Sequence, residues 1–262
     1  MNEPAAPSPR PHSDDPCPCL RDAKFGDCCG ITADTVPKDI FIQKEAISKK
    51  KCDEMVRYLA KQPRTDLGIV KAGNQRRELG NVLDSTRITF SIKPGKLTTK
   101  INNLIETGFS GVVEDQLGKT LLWYETPTVL LYVKGGWYAR HTDSGNVCPN
   151  TREFKKLVDR DYSVLLYLSD KFEGGNITFN RFGYSYKPQR GDLVVFPSDN
   201  RYAHTAERVT AGNRYAVVSF CAIEESKKIY LTPPADAILI EANRKPVAKS
   251  SLMRQAISDV SG

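Results

Sequence analysis

The period of the apolar positions changes partway along this chain. In the first half they recur at helical spacing. Behind Ser48, a residue type that caps helix starts, Cys52, Met55, Val56 and Leu59 fall on one helical face. The Lys49-Lys50-Lys51 run in the first turn opposes the helix dipole, so this helix rests on its periodicity rather than on its charges. A second helix is predicted over 97–117, with Ile101, Leu104, Ile105, Val112 and Val113 on its buried side. Between the two, 64–87 is polar, contains Gly and Arg76-Arg77, and reads as a long loop, while Thr86 to Ile92 alternates as a strand does. From Glu125 the runs shorten and are punctuated by Gly, Pro, Asn and Asp. They fall at 126–133, 137–143, 161–169, 176–179, 184–187, 192–196, 203–209 and 213–222. Closely spaced short strands predict a sandwich or barrel, and helices followed by a compact β unit make the class α+β. After Pro233 the tail has one apolar stretch, Ala237 to Ile240, and no internal repeat is visible.

Composition adds bounds to this picture. The 262 residues, 40% of them hydrophobic, suit one large β-rich domain with a small appendage, or two modest domains. The net charge of +7 permits an acidic partner, but it fits an ordinary basic surface equally well. No uninterrupted apolar run approaches a membrane span, and 1–15, with Pro4, Pro7, Pro9 and Pro11, has the composition of a disordered tail rather than of a secretory signal. A reducing, cytoplasmic setting is therefore expected, where clustered cysteines read as metal ligands before disulfides. Cys17, Cys19, Cys28 and Cys29 form such a cluster, and four thiolates suit a closed tetrahedral Zn(II) site. The expected organisation is a tail (1–15), a zinc knuckle (16–31), a linker (32–39), a main domain (40–223) and a C-terminal extension (224–262).

The chain has only three histidines. His12 falls in the tail, whereas His141 and His204 both fall in the β unit. His141-Thr-Asp143 closes one predicted strand, and residues two apart on a strand share a face. A barrel can bring His204 alongside. Two imidazoles and one carboxylate on one face of an ion are the donor set of non-haem Fe(II) oxygenases, which leaves open positions for an oxo-acid and dioxygen. Arg214 lies on the apolar strand after His204, a costly place for a cation unless it holds an anion. Tyr167 can add a hydroxyl donor to the same anion.

These residues carry a family resemblance. Leu131-Tyr-Val-Lys-Gly-Gly-Trp-Tyr-Ala-Arg-His141-Thr-Asp143 resembles the metal-binding strand of prolyl 4-hydroxylases. Tyr167-Leu-Ser-Asp, Gly174-Gly175-Asn-Ile-Thr-Phe179 and Gly191-Asp-Leu-Val-Val-Phe-Pro197, then His204 and Arg214, are similar to that family's later landmarks, and Ala46 to Glu54 to its opening helix. The resemblance covers roughly 40–223. It implies a double-stranded β-helix (jelly roll), Fe(II) held by His141, Asp143 and His204, and consumption of 2-oxoglutarate and dioxygen with release of succinate and CO2. By position it makes Arg214, Tyr167 and Tyr132 candidates for binding 2-oxoglutarate, and Tyr138, Arg140 and Trp137 candidates for binding substrate. Arg214 stands where collagen-type members carry Lys and the oxygen-sensing branch carries Arg. Arg140 stands where collagen-type members often have Pro. Both departures point away from a collagen-like substrate. Separately, Asp14-Asp-Pro-Cys17-Pro-Cys19 … Phe25-Gly-Asp-Cys28-Cys29-Gly30 resembles the SEC-C zinc-binding motif, with Leu20-Arg21-Asp22 in place of its usual Gly-Ser-Gly.

The substrate class the resemblance implies is a prolyl residue of a protein or peptide. The 64–87 loop and the insertion from Ser144 to Arg160, with Arg152, Lys155, Lys156 and Arg160, are candidate lids over an extended chain. A free amino acid or small metabolite is the alternative within the same chemistry. An inactive jelly roll acting through its knuckle is the alternative outside it, although a binding module needs none of His141, Asp143, His204 and Arg214. Nucleic acid is not the expected partner, because no basic-aromatic stripe offers a stacking platform.

Overall fold

A computed structural model of the chain describes residues 35–67, 87–147 and 153–240. The expected tail, the zinc knuckle and the first three residues of the linker lie outside the described residues. So do 68–86, Cys148 and the end of the C-terminal extension.

The first half contributes β1 (Phe41–Gln43), α1 (Lys49–Leu59), β2 (Arg64–Asp66), β3 (Arg87–Ile88), β4 (Phe90–Ile92) and α2 (Thr98–Phe109). Then come β5 (Leu121–Glu125), β6 (Thr128–Tyr132), β7 (Trp137–His141), β8 (Gly145–Val147), β9 (Phe154–Lys156), β10 (Tyr162–Tyr167) and β11 (Phe172–Gly174). β12 (Ile177–Phe179), β13 (Tyr184–Tyr186), β14 (Leu193–Pro197), β15 (His204–Ala206), β16 (Val209–Gly212), β17 (Arg214–Ile223) and β18 (Ala237–Leu239) complete the order. The major sheet runs β1-β14-β10-β17-β6-β4-β2, with β5 and β18 attached beyond β17. The minor sheet runs β13-β12-β15-β7-β3. The pairings are antiparallel, and the two facing sheets make a jelly roll.

The helices cover the outer face of the major sheet. Ser48 caps α1 by accepting from the Lys51 N–H, and Cys52, Met55 and Leu59 turn inward as their spacing requires. With Ile101, Ile105 and Phe109 of α2 they pack on Leu131, Val164, Leu166, Val195 and Val217. A π-helical turn at Ser110–Glu114 continues α2 to nearly the expected end and buries Val112 and Val113. Strand alternation then sends Leu130, Tyr132, Ser163, Leu165, Tyr167, Phe196, Arg214 and Ala216 into the space between the sheets, where the cavity lies.

Several stretches differ from their sequence reading: β5, β8, β9, β11 and most of β16 fall outside the expected strands, and three further differences concern the sheets' margins. Arg64–Asp66, expected to open a loop, is an exposed edge strand paired with β4, for which backbone pairing needs no apolar side chains. The single strand expected over Thr86 to Ile92 divides at Thr89, with β3 on β7 of the minor sheet and β4 on β6 of the major sheet. Ala237 to Ile240 places β18 on β5, so this part of the extension belongs to the major sheet. Among the described residues, no helix is long and apolar enough to cross a membrane.

Candidate active site

The minor sheet builds the metal centre. β15 pairs with β7 so that His204 stands directly opposite His141, which brings the ring centroids within 4.3 Å. Asp143 follows on the turn beyond β7. Its carboxylate oxygens lie 3.5 Å from His141 Nε2 and 3.9 Å from His204 Nε2. The three ligand atoms fall within 4.8 Å of one another, the only such cluster among the described residues.

The surroundings prepare these side chains to bind a cation. His141 Nδ1 lies 2.8 Å from the Ala139 carbonyl and His204 Nδ1 lies 3.1 Å from the Tyr202 carbonyl. A carbonyl only accepts, so each Nδ1 carries the proton and each Nε2 presents its lone pair to the centre. Burial and the neighbouring His204 lower the His141 pKa to about 3, so this imidazole is neutral and able to ligate. Burial would raise the Asp143 carboxyl, but the imidazoles of His204 and His141 and the Ser163 hydroxyl hold it below its ordinary value. Ser163 donates to Asp143 Oδ2 at 2.6 Å and lies 2.7 Å from Ser198 Oγ, an arrangement that fixes the carboxylate's orientation. Two Nε2 donors and a carboxylate fit a divalent ion with open positions.

The major sheet supplies the anion end. Arg214 is 2% exposed at the start of β17. Its Nη1 donates to the Gly175 carbonyl at 2.6 Å, its guanidinium carbon lies 4.0 Å from the Tyr132 ring centroid, and its buried Nε has no acceptor. Gly174 and Gly175 both adopt φ +62°, which turns the Gly175 carbonyl toward Arg214. A Cβ at Gly174 would lie 2.3 Å from the Arg208 carbonyl oxygen, so only glycine fits there. Among the described residues no carboxylate pairs with Arg214. A buried cation with an orphaned donor is costly unless a ligand supplies the acceptor, and the far carboxylate of 2-oxoglutarate is such an acceptor. Tyr167, buried alongside, has its phenol pKa raised by burial, which keeps the hydroxyl protonated as a donor.

Between these ends lies a cavity of about 840 Å³, a volume suited to a cosubstrate together with part of a substrate. Tyr132, Tyr138, Tyr167 and Arg214 line it with the three ligand residues, whereas Trp137 and Arg140 do not. A register shift between β7 and β15 explains the difference. It turns both Tyr138 and His141 inward, with their rings stacked at 3.6 Å, and leaves Arg140 exposed. Trp137 instead lies under the Arg208 guanidinium.

Two charges of the expected lid and two residues the sequence did not single out surround the site. Arg160 clamps Glu125 in a bidentate pair at 2.5 and 2.7 Å and donates to the Asp143 carbonyl at 3.2 Å. Lys156 pairs with Asp161 at 2.8 Å. These two charges of the expected lid are therefore committed to ion pairs. Ser163 was legible in principle, as the polar residue in the inward-facing series Ser163, Leu165, Tyr167. Arg87, on β3, had no pattern to mark it.

A jelly roll whose cavity joins a His-Asp-His cluster to a buried guanidinium can hold a metal ion and an oxo-acid side by side. Residues 127–222, which include all four of these side chains, match the model of the 2OG-Fe(II) oxygenase superfamily. Prolyl 3-hydroxylase 2 of Gallus gallus is 25% identical over 243 residues, covering 79% of this chain and 33% of that protein. Prolyl 3-hydroxylase 2 of Homo sapiens is 31% identical over 121 residues, covering 43% of this chain and 17% of that protein. The chain thus spans a third or less of these relatives' length. In fold it is similar to a solved oxidoreductase of the 2OG-Fe(II) oxygenase family from Burkholderia pseudomallei. The TM-score is 0.50 at 14% identity, covering 73% of this chain and 89% of that one.

Proposed function

We propose that this protein is an Fe(II)- and 2-oxoglutarate-dependent dioxygenase that hydroxylates a prolyl residue in a protein or peptide. The observation that carries the reading is the union, in one cavity, of the ligand cluster and the buried Arg214 guanidinium, whose Nε has no acceptor and which no carboxylate of the described residues pairs. A binding module needs neither. When bound, Fe(II) and 2-oxoglutarate supply dioxygen activation and C–H oxidation, while the protein supplies orientation and a dry pocket.

His141, Asp143 and His204 would hold the iron, with Ser163 steadying Asp143. Arg214 and Tyr167 would take the far carboxylate of 2-oxoglutarate, and the Tyr132 face would support the guanidinium. Tyr138, against the His141 ring, would face the substrate. No side chain is needed as a general base. A prolyl substrate rests on the resemblance of the metal strand to prolyl 4-hydroxylases and on relatives named as prolyl 3-hydroxylases. The two disagree on ring position, so the product must be identified as 3- or 4-hydroxyproline. A cytoplasmic setting and a structural Zn(II) on Cys17, Cys19, Cys28 and Cys29 belong to the same proposal. The zinc rests on cysteine spacing and predicts about one Zn(II) per chain, lost on removal of 1–36.

The test is a screen of proline-containing peptides and free amino acids for succinate release together with a product heavier by one oxygen atom. Product from a peptide that is lost in His141→Ala, Asp143→Ala and His204→Ala supports the proposal. Product only from a free amino acid replaces the substrate assignment. An iron-loaded protein that neither binds nor consumes 2-oxoglutarate refutes the enzyme reading.

A further inference from the structure

Arg214 has a counterpart at the other end of the cavity. Arg87, on β3, also lines the cavity, also lies over a tyrosine with its guanidinium carbon 4.4 Å from the Tyr138 ring centroid, and also has a buried Nε without an acceptor. The Tyr138 ring is stacked on His141 at 3.6 Å, so a continuous series runs from Arg87 through Tyr138 to the iron-binding imidazole. One guanidinium thus stands on the central strand of the major sheet, and a second stands one tyrosine away from the metal-ligand cluster at the edge of the minor sheet.

The charges lining the cavity sharpen this parallel. Its arginines are Arg87, Arg160 and Arg214, and its carboxylates are Glu125 and Asp143. Glu125 is taken by Arg160 in the bidentate pair, and Asp143 is a ligand of the metal centre. Arg214 fits one carboxylate of 2-oxoglutarate, and the ion fits the other together with Asp143. Arg87 is the charge left over. Among the described residues it has no carboxylate partner, and an orphaned guanidinium nitrogen is stabilised most by a charged acceptor.

We propose that Arg87 is the receptor for a carboxylate carried by the substrate next to the carbon that is hydroxylated, a reading that rests on the proposed hydroxylase function. An extended chain advances about 3.3 Å per residue, so the stack from Arg87 to His141 places the carboxylate within about two residues of the reacting one. The carboxylate is an Asp or Glu side chain beside the proline, or the chain's own C-terminal carboxylate. Tyr138 acts as the spacer, with one face supporting Arg87 and the other set against His141.

The test compares matched probes under anaerobic conditions on the full chain loaded with Mn(II) and 2-oxoglutarate. The peptides are acetylated and carry proline followed by Glu or by Gln, or end at proline as the acid or the amide. Wild-type protein should bind the acidic member of a pair more tightly by about tenfold or more, the low end for a charged hydrogen bond. Arg87→Gln should erase that preference and Arg87→Lys should restore part of it. The Glu/Gln pair and the acid/amide pair tell a side chain from a terminus. Equal affinity for acidic and neutral members in wild-type protein overturns the proposal without recourse to a variant, and so does a preference that survives in Arg87→Gln. A proline-free probe, N-acetylaspartate N-methylamide, separates this outcome from failure of the prolyl assignment. Its proton relaxation should be enhanced by the Mn(II) in wild-type protein and not in Arg87→Gln, whether or not any prolyl peptide binds. Absence of enhancement in wild-type protein counts against Arg87 as a carboxylate receptor.

Discussion

Replacing Arg214 by Ala tests the cosubstrate end directly. The side chain is 2% exposed, tethered at one nitrogen to the Gly175 carbonyl and unpartnered at Nε. The ion pair it would form with the far carboxylate of 2-oxoglutarate is therefore shielded, unlike a surface pair worth about 0–1 kcal/mol. Truncating one member of a buried, hydrogen-bonded charge pair costs about 2–5 kcal/mol. At about 1.4 kcal/mol per decade, affinity for 2-oxoglutarate should fall by roughly 1.5–3.5 decades. Arg214→Lys should be intermediate, because an ammonium keeps the charge but loses the planar fork. Tyr167→Phe should cost about 0.5–3 kcal/mol, the range for one hydroxyl donor to an anion. Metal affinity should survive all three, since none of these side chains is a ligand. Calorimetric titration of the metal-loaded protein with 2-oxoglutarate, without oxygen, measures each value. Undiminished affinity in Arg214→Ala would refute the assignment, and loss of metal binding in that variant would show that the two ends of the cavity are not independent.

Ser163→Ala removes the hydroxyl that orients Asp143 and should weaken metal affinity by about 10–100-fold, read by competition with a chelator, with little change in the fold. Gly174→Ala forces a Cβ to within 2.3 Å of the Arg208 carbonyl oxygen and should disturb the Gly175 carbonyl that tethers Arg214. A rise in the KM for 2-oxoglutarate larger than the fall in melting temperature would predict is the expected sign. Cys52 is fully buried and its thiol is pushed up to about 12, chiefly by burial and then by Asp53. It should resist iodoacetamide at pH 8 in native protein and react once unfolded, as peptide mass mapping will show. Because its folded pKa lies above its unfolded value, the native state keeps the proton longer. Its contribution to stability is complete below about pH 9 and declines as pH rises toward about 12, which denaturant titrations across that range will register.

The sequence was most informative where one physical rule governs many residues. Helical periodicity located α1 and its inward residues, and the cap at Ser48 formed as its side chain predicts. The punctuated runs after Glu125 located β6, β7, β10, β12, β13, β14, β15 and β17, whose apolar residues pack into the core, but not β8, β9, β11 or most of β16. The ligand residues were legible because His is rare in this chain and because a carboxylate two residues from His141 shares its reach. Arg214 was legible as a charge on an apolar strand. The edge strand Arg64–Asp66 was not legible, because backbone pairing leaves no apolar signature, and β3 was legible only as part of a single strand over Thr86 to Ile92. The register shift in β7 was also hidden, since it arises from pairing with β15, and it decides that Tyr138 rather than Arg140 faces the cavity. Ion pairs across the fold, such as Arg160 with Glu125, join residues whose separation in sequence gives no hint of contact.

The two arginines of the cavity stand on strands of very different tenure. Arg214 opens a ten-residue strand whose length is bonded to β10, β6 and β5, and its guanidinium is already tethered before any ligand arrives. Binding there carries little ordering entropy. Arg87 sits on a two-residue strand at the margin of the minor sheet. On the proposed reading, 2-oxoglutarate would meet the preorganised strand β17 and the substrate would meet the short strand β3 at the end of its sheet. Substitutions on β3 would then alter substrate choice while leaving the His141, Asp143, His204 and Arg214 sites in place.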